Sequence, residues 1–574
     1  MRRSVQALLA IMLVVGLLAG CGGGGTNESQ SNAGSGNTGT NTGNTGGEGG
    51  EQPAAEGTPM KDGKYDPPIT ITVARGLGGD VKFRDGEDIQ NNVHNKWALD
   101  EFGIKFHYDF SMADVNGAFE NKVRLMLSAN EKFPDIMRIG DRQLVQDLIS
   151  SGRFMAVDEA IEKYASDRLK QLWKDHPEGF YQVTRDGKRY GLPVYTQGNG
   201  SDEMIWIRQD WLDKLGLQAP KTLDELEKIM DAFVNQDPDG NGKKDTVALA
   251  ASLKNGMGTW MSSTSFLIGA YGGKATDHQW GKAEDGTLYY GSTAEPVKKA
   301  LAKLNEWYKK GYLEKEVGIN DETKASEAFT KGKAGIFPAP AWAATWPIPD
   351  LLKLDPNAKV TPLPVISGPD GSIGRFGEQT VQAAILFSKD FKHMDAYLKY
   401  LDTIYGVNFG DERWADGIFE GYDYVKKDGK VVTDDASIPG GRVYPDKYFV
   451  GTYHAVDIPF LQYEVFDKLA GGAEPSNPVE KRLAGQDPLY IKGGAIVNQQ
   501  NQYRMANLFY GAPTETMSSK NEYLNKLENE TFTKIVYGQL PIDAFDKFVA
   551  DWKKGGGDEI TKEVNDWYQS VGGQ

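Results

Sequence analysis

Ile69-Thr70-Ile71-Thr72-Val73-Ala74 alternates β-branched residues and stops at Arg75-Gly76-Leu77-Gly78-Gly79, and the fold turns on how this stretch is read. The alternation predicts a strand, and the glycines predict the loop that ends it. A helical pattern over 91–102 follows, and Ile104-Lys105-Phe106-His107-Tyr108-Asp109 predicts a second strand. Strand, helix, strand in about forty residues is a βαβ unit. A helix over 116–129 and a short apolar strand, Phe133-Pro134-Asp135-Ile136-Met137-Arg138-Ile139, extend it to Gly140-Asp141-Arg142. The region is therefore α/β, with its loops gathered at strand C-termini, the edge where open parallel sheets bind ligands.

Further along, Met204-Ile205-Trp206-Ile207-Arg208 opens a second region with another strand. Thr222 and Glu225 form a capping box, and Leu223, Leu226, Ile229, Met230 and Phe233 recur at helical spacing behind it. A similar set, Ile542, Phe545, Phe548, Val549 and Trp552, predicts a helix ended by Gly555-Gly556-Gly557. From Tyr65 onward the chain holds all 12 Trp, 26 Tyr and 24 Phe. A body of about 510 residues with that content buries two or three cores, so at least two lobes are expected.

In the other direction, residues 22–64 are Gly, Asn, Thr, Ser and Glu with almost no apolar side chains. Such a segment is a flexible tether with a reach of roughly 35–40 Å. Before it, Arg2-Arg3 precedes an apolar run that ends in Leu18-Ala19-Gly20-Cys21, the pattern of a signal peptide cut before the chain's single Cys. Fourteen helical residues span only about 21 Å, too short for a bilayer core of roughly 30 Å. Leu-Ala-Gly-Cys resembles a bacterial lipobox, which implies lipidation of Cys21 and a body moored outside the cytoplasm.

The chain carries 64 basic and 80 acidic side chains, a formal −16, and losing Arg2 and Arg3 makes it more negative still. Nucleic acid is excluded as a natural partner. With no Cys in the body there are no disulfides and no thiolate metal site, which leaves oxygen-bound metals. Asp237-Pro238-Asp239-Gly240-Asn241-Gly242-Lys243-Lys244-Asp245 offers what an EF-hand-like loop uses for Ca²⁺. Side-chain oxygens stand at positions 1, 3, 5 and 9, a turn glycine at 6 and the Lys243 carbonyl at 7. Position 12 is Ala248 rather than Glu, and a strand pattern follows, so a structural site is expected rather than a sensor.

Trp260, Trp280, Trp342 and Trp346 lie in stretches rich in Gly, Pro, Ser and Thr rather than at helical spacing. Indole faces stack on the apolar faces of sugar rings, and neighbouring Asp, Glu and Arg can take hydroxyls. The zincin His-Glu-x-x-His, the Gly-x-Ser-x-Gly elbow and a phosphate loop are all missing, and the six His show no ligand spacing. Carboxylates are plentiful enough to supply a glycosidase pair, so a secreted carbohydrate-active enzyme stays open on residues alone.

Phe329-Thr330-Lys331-Gly332-Lys333-Ala334-Gly335-Ile336 followed by Trp342 resembles the Phe-x-x-Gly-x-x-Ala-Met…Trp segment of family 1 extracellular solute-binding proteins. That group includes maltose-binding protein. Val360-Thr361-Pro362-Leu363-Pro364, Phe133-Pro134-Asp135-Ile136 with Asp141-Arg142, and the run from Arg208 to Leu217 resemble the same family in the same order. Ile336 stands where the family has Met, and the stretch between Tyr405 and Tyr463 has no counterpart in the pattern. The resemblance implies a two-lobed α/β fold of the periplasmic-binding-protein-like II type, with crossover hinge segments near Val194–Glu203 and Ile366–Phe376. It places 65–198 plus about 370–420 in the N-terminal lobe and 199–369 plus about 421–574 in the C-terminal lobe. It implies a monomeric receptor that delivers an oligosaccharide to the permease subunits of an ABC transporter and performs no chemistry. Trp342 is then the expected stacking platform, with Asp141 and Arg142 as hydroxyl binders, and Arg75, Tyr195, Arg375 and Glu378 as further contacts.

Overall fold

The computed structural model describes residues 63–452 and 456–572. The signal peptide, Cys21 and nearly all of the tether lie outside the described residues. The first lobe opens with β1 (Ile69–Leu77), α1 (Val93–Phe102), β2 (Ile104–Ala113), α2 (Ala118–Ser128), β3 (Ile136–Ile139), α3 (Arg142–Ser150) and β4 (Gly191–Tyr195). The βαβ unit forms as its pattern requires: β1 pairs parallel with both β2 and β3. Thr72 on β1 fixes the β3 register, since its backbone N–H donates to the Asp135 carboxylate while the Asp135 N–H donates to the Thr72 hydroxyl. Asn92 caps α1 by accepting from the Asn95 N–H, and Gly103 ends it at φ 68. A Cβ at Gly103 would lie 2.1 Å from the Tyr65 carbonyl, so only glycine fits the close.

The second lobe holds β5 (Met204–Arg208), α4 (Leu223–Asn235), β6 (Val247–Leu249), β7 (Ala334–Ala339), β8 (Val360–Leu363) and β9 (Arg375–Gly377). Thr222 caps α4 by accepting from the Glu225 N–H, and its apolar stripe from Leu223 to Phe233 is buried. The chain then returns to the first lobe for β10 (Val381–Phe387) and α5 (Met394–Phe409). It ends in the second with α6 (Leu461–Ala470), α7 (Pro488–Gln499), β11 (Arg504–Ala506), α8 (Glu515–Val536), α9 (Ala544–Trp552) and α10 (Asp558–Ser570). The three glycines after Trp552 kink rather than stop the chain: Gly556 takes φ 135 and α10 resumes at once.

The first sheet is five-stranded in the order β2-β1-β3-β10-β4, with β10 antiparallel to both neighbours. The second is four-stranded, β8-β5-β7-β6. Each sheet has its own apolar core, and a third cluster forms where α6 and α7 cover β5 and β7.

The cores correct the expected lobe limits. Phe449, Val450 and Val456 are buried in the first core, Tyr448 stacks on Phe83 at 4.9 Å, and the Val450 N–H donates to the Tyr400 hydroxyl at 2.8 Å. The stretch from about 421 to 456 therefore packs on the first lobe, not the second, because burying those large side chains there is worth about 1.5–3 kcal/mol each. Arg375–Gly377 pairs with β11, and Ile366 is in the second core, so the second crossing falls at 378–380 rather than 366–376. The first crossing runs over 196–203, and a third, unforeseen one runs over 457–461. Among the described residues no helix is long and apolar enough to cross a membrane.

Candidate functional site

The crossings decide which ends of the sheets face the other lobe. β4 ends at the first crossing and pairs antiparallel with β10, which in turn pairs antiparallel with β3. The C-terminal ends of β1 and β3, with Gly76 and Gly140-Asp141-Arg142, therefore share the hinge edge of the first sheet. In the second sheet β5 leaves the crossing at Met204, opposite Ala339 at the end of β7, and β6 runs parallel to β7. The loops after β6 and β7 thus sit at the hinge edge of the second lobe. Trp260 lies in one, and Trp342 and Trp346 in the other.

These three indoles form a column. Trp260 and Trp342 stack with centroids 5.8 Å apart and planes 21° apart, and Trp342 and Trp346 stack at 6.1 Å and 14°. Trp342 is half-buried on the third cluster, while Trp260 and Trp346 are 37% and 45% exposed. The column is held from behind: the Ser262 N–H donates to the Pro338 carbonyl at 2.8 Å, and the Ser252 N–H donates to the Ser262 carbonyl at 2.9 Å. Two of the three indoles thus leave more than a third of their surface open to water at the hinge edge.

The remaining expected contacts have other duties. Trp280 is 3% exposed inside the second core, 5.3 Å from the Tyr290 ring, because its strand folds under the C-terminal helices. Tyr195 is buried and donates its hydroxyl to the His176 carbonyl, and desolvation raises its pKa. Arg75 is buried and donates to the carbonyls of Phe449 and Lys447, clasping the 445–450 turn. Asp141 caps α3 through the Leu144 N–H and pairs with Arg124 at 2.6 Å. Arg142 donates to the Phe509 carbonyl at 3.1 Å and to the Gln379 side chain at 2.7 Å, and burial lowers its pKa. It links the lobes at the hinge.

Arg375 and Glu378 belong to a buried knot. Asp202 accepts from Arg375 and, at 2.8 Å, from the Arg504 Nε, and its other oxygen accepts the Glu378 N–H at 2.8 Å. Arg375 and Asp202 are both fully buried. Glu203 accepts from the Ser265 hydroxyl, and burial raises its pKa. The Glu378 carboxylate accepts from the Ser201 N–H at 3.1 Å, and burial, then Asp202, holds its pKa at about 7.

Sequence reasoning missed one feature entirely, a cavity of about 230 Å³ at the third crossing. Asn408, Asp423 and Asp446 line it from the first lobe, Asp457 from the crossing, and Arg482 and Gln486 from the second. Burial lifts Asp446 to about 6 and Asp457 to about 7. Most of its residues, though not Arg482 and Gln486, come from the stretch with no counterpart in the family pattern, so no motif marks it.

The acidic loop is a tight turn held by its own side chains. Asp237 oxygens accept from the N–H groups of Asn241 and Gly242, both at 3.1 Å, and Gly242 adopts φ 72. The Asn241 side-chain nitrogen bridges Asp239 at 2.6 Å and Asp245 at 3.0 Å. Lys214 clamps the loop through the carbonyls of Asp237 and Pro238. Partial burial and the neighbouring Asp237 raise the pKa of Asp239. An all-oxygen set of carboxylates at close quarters, joined by a single amide, fits a hard cation such as Ca²⁺.

A profile of the bacterial extracellular solute-binding protein family matches residues 97–407. The chain belongs to this family. Polygalacturonan/rhamnogalacturonan-binding protein YtcQ of Bacillus subtilis (strain 168) is 25% identical over 463 residues, 79% of this chain and 84% of that one. Among solved structures, the alginate-binding protein AlgQ2 without calcium ion matches at TM-score 0.56 and 18% identity, covering 88% of this chain and 99% of that chain. The EF-hand mutant of the S. pneumoniae substrate-binding protein FusA, in complex with fructo-nystose, matches at TM-score 0.56 and 19% identity, covering 88% and 99%. The fold is the two-lobed α/β fold of solute-binding proteins. The family binds solutes rather than transforming them, so the carbohydrate-active enzyme left open by the residues is set aside.

Proposed function

We propose that this solute-binding protein captures an oligosaccharide between its lobes, against the Trp260–Trp342–Trp346 column, and delivers it to an ABC-type importer. The column carries the reading: three stacked indoles at the hinge edge of the second lobe leave aromatic surface open to water on Trp260 and Trp346. Closure expels water and favours the closed state only by the ligand's differential affinity for it. The relatives support the ligand class, since YtcQ is a polygalacturonan/rhamnogalacturonan-binding protein and FusA was seen with fructo-nystose. Lipidation of Cys21 would keep the receptor near a permease at high effective concentration. In the acidic loop, Asp237, Asp239, Asn241, the Lys243 carbonyl and Asp245 would hold Ca²⁺, which supplies charge neutralisation and ties the end of α4 to β6. The EF-hand of FusA supports this assignment.

The test is calorimetry and small-angle scattering with oligogalacturonides and fructo-oligosaccharides. Tight binding of one class with compaction is expected. Tight binding without compaction would refute the two-lobed clamp, and no binding of any oligosaccharide would refute the ligand class.

A further inference from the structure

Asp277, His278 and Glu528 meet inside the second lobe, away from the acidic loop and with none of the residues of the tryptophan column among them. His278 Nε2 stands 3.4 Å from Glu528 Oε1 and 3.9 Å from Asp277 Oδ2. One ligand atom from each of the three residues lies within 4.8 Å of the other two. Four ligands at the usual Zn²⁺ bond lengths lie about 3.3 Å apart in a tetrahedron, so small side-chain adjustments close this set around one ion.

Three further observations make the cluster a site. The first is charge. Both carboxylates have fully buried side chains, and among the described residues the only ion-pair partner of either is the single imidazole of His278. A divalent cation would find two carboxylates here with only one imidazole competing for them. The second is preorganisation. Asp277 accepts from the N–H groups of Met257 at 2.6 Å and Gly258 at 2.9 Å, and Glu528 accepts from the hydroxyls of Ser292 at 2.6 Å and Tyr290 at 3.0 Å. Such outer partners orient ligand atoms and hold them in place. His278 itself sits at φ 58, a conformation non-glycine residues adopt rarely and mostly where the surroundings impose it. A Cβ on Gly256 would come within 2.5 Å of Asp277 Oδ2, so the backbone closes one side of the cluster. The third is access. A cavity of about 200 Å³ opens beside His278, walled by Trp280, Tyr290 and Trp552 and bordered by Asn521 and exposed Asn525. Of the three ligands it reaches His278, and it offers the ion an entry path from that side.

We propose that Asp277, His278 and Glu528 form a second cation site, separate from the acidic loop and selective for a first-row divalent transition metal, with Zn²⁺ the fitting ion. An imidazole with two carboxylates suits Zn²⁺, whereas Ca²⁺ takes oxygen alone. The ion would fasten Asp277 and His278, and through Asp277 the turn at Met257 and Gly258, to α8 in a chain whose body has no disulfide.

The experiment uses the chain from residue 22 onward without a polyhistidine tag, stripped with a chelator and titrated with Zn²⁺ by calorimetry in excess Ca²⁺. One equivalent is expected, retained in Asp237→Asn. In His278→Gln the affinity should fall by more than the about 100-fold that loss of an outer partner costs. Absence of stoichiometric Zn²⁺ binding, or binding that survives His278→Gln, overturns the proposal and leaves an ordinary ion triad. Should that variant not fold, Co²⁺ added to the unaltered chain answers instead. Paramagnetically shifted imidazole signals support the site, and their absence overturns it.

Discussion

Replacing Asp202 by Asn removes the one carboxylate on which two guanidinium groups and the Glu378 N–H converge. Asp202 and Arg375 are fully buried and Arg504 is 13% exposed, so water cannot take over the lost interactions. Asn keeps an acceptor for the Glu378 N–H but offers an amide N–H₂ or a neutral carbonyl to the two guanidiniums. Two charge-assisted hydrogen bonds at about 1.5–3 kcal/mol each put the loss near 3–6 kcal/mol. Orphaning one partner of a buried ion pair gives about 3–5 kcal/mol independently. Glu203 also faces Arg375 and offsets part of the charge, which favours the lower half, about 3–4 kcal/mol. Equilibrium urea unfolding followed by tryptophan fluorescence and circular dichroism measures it. Asp546→Asn, which breaks the exposed pair with Lys298, serves as a control that should leave stability unchanged. A loss in Asp202→Asn below about 1 kcal/mol, the range of exposed pairs, would show that the knot is solvated and does not hold this end of the second lobe together.

Trp342→Ala removes the middle ring of the column and should weaken oligosaccharide binding by about 1–3 kcal/mol, on the scale of ring-on-aromatic stacking. Unchanged affinity in a folded variant would make Trp342 a packing residue. Glu378 is held at about 7 against an ordinary 4.5, so the folded chain keeps a proton that the unfolded chain has shed. Stability should therefore fall as pH rises across that window, then level off, and Glu378→Gln should flatten the profile. Asp446 and Asp457 tilt it the same way, so the difference between variant and parent is the measurement, and identical profiles would refute the assignment. Free Ca²⁺ about a hundredfold above its Kd should stabilise the chain by about 2.7 kcal/mol, lost on chelation and in Asp237→Ala. A melting temperature indifferent to chelator would remove that ion. Cys21→Ser should release the protein from the membrane fraction with sugar affinity intact, and retention there would exclude the lipid anchor.

The fold was legible where local chemistry dictates local structure. The alternation in β1, the Thr222 cap and the apolar stripe of α4 each need only a few neighbouring residues, and each appears where its pattern put it. The lobe limits were not legible, because Phe449 and Val450 show no strand or helix period and are claimed by the first core through contacts with residues hundreds of positions away. Loop tryptophans carried partial information. Trp260, Trp342 and Trp346 stand together at the hinge edge. Trp280, in an equally loop-like stretch, is buried because α9 and α10 arrive from the far end of the chain to cover it.

Arginines carried least, and the reason bears on how this protein would move. A guanidinium that greets a sugar hydroxyl and one that locks a carboxylate look alike in sequence, yet Arg375 and Arg504 both lock Asp202. All three are joined to second-lobe strands: Asp202 precedes β5, and Arg375 and Arg504 pair side by side in β9 and β11. The knot therefore travels with the second lobe as a rigid plate, and bending is left to what lies just beyond it. Gly198, at φ 73, packs against Phe460, at φ 69, so the first and third crossings meet at residues already in the left-handed region. Arg504 caps that meeting point, donating to the Gly198 carbonyl and lying 4.9 Å over the Phe460 ring. The charged plate marks where the second lobe ends, and the Gly198–Phe460 contact marks where the first and third crossings meet just beyond it.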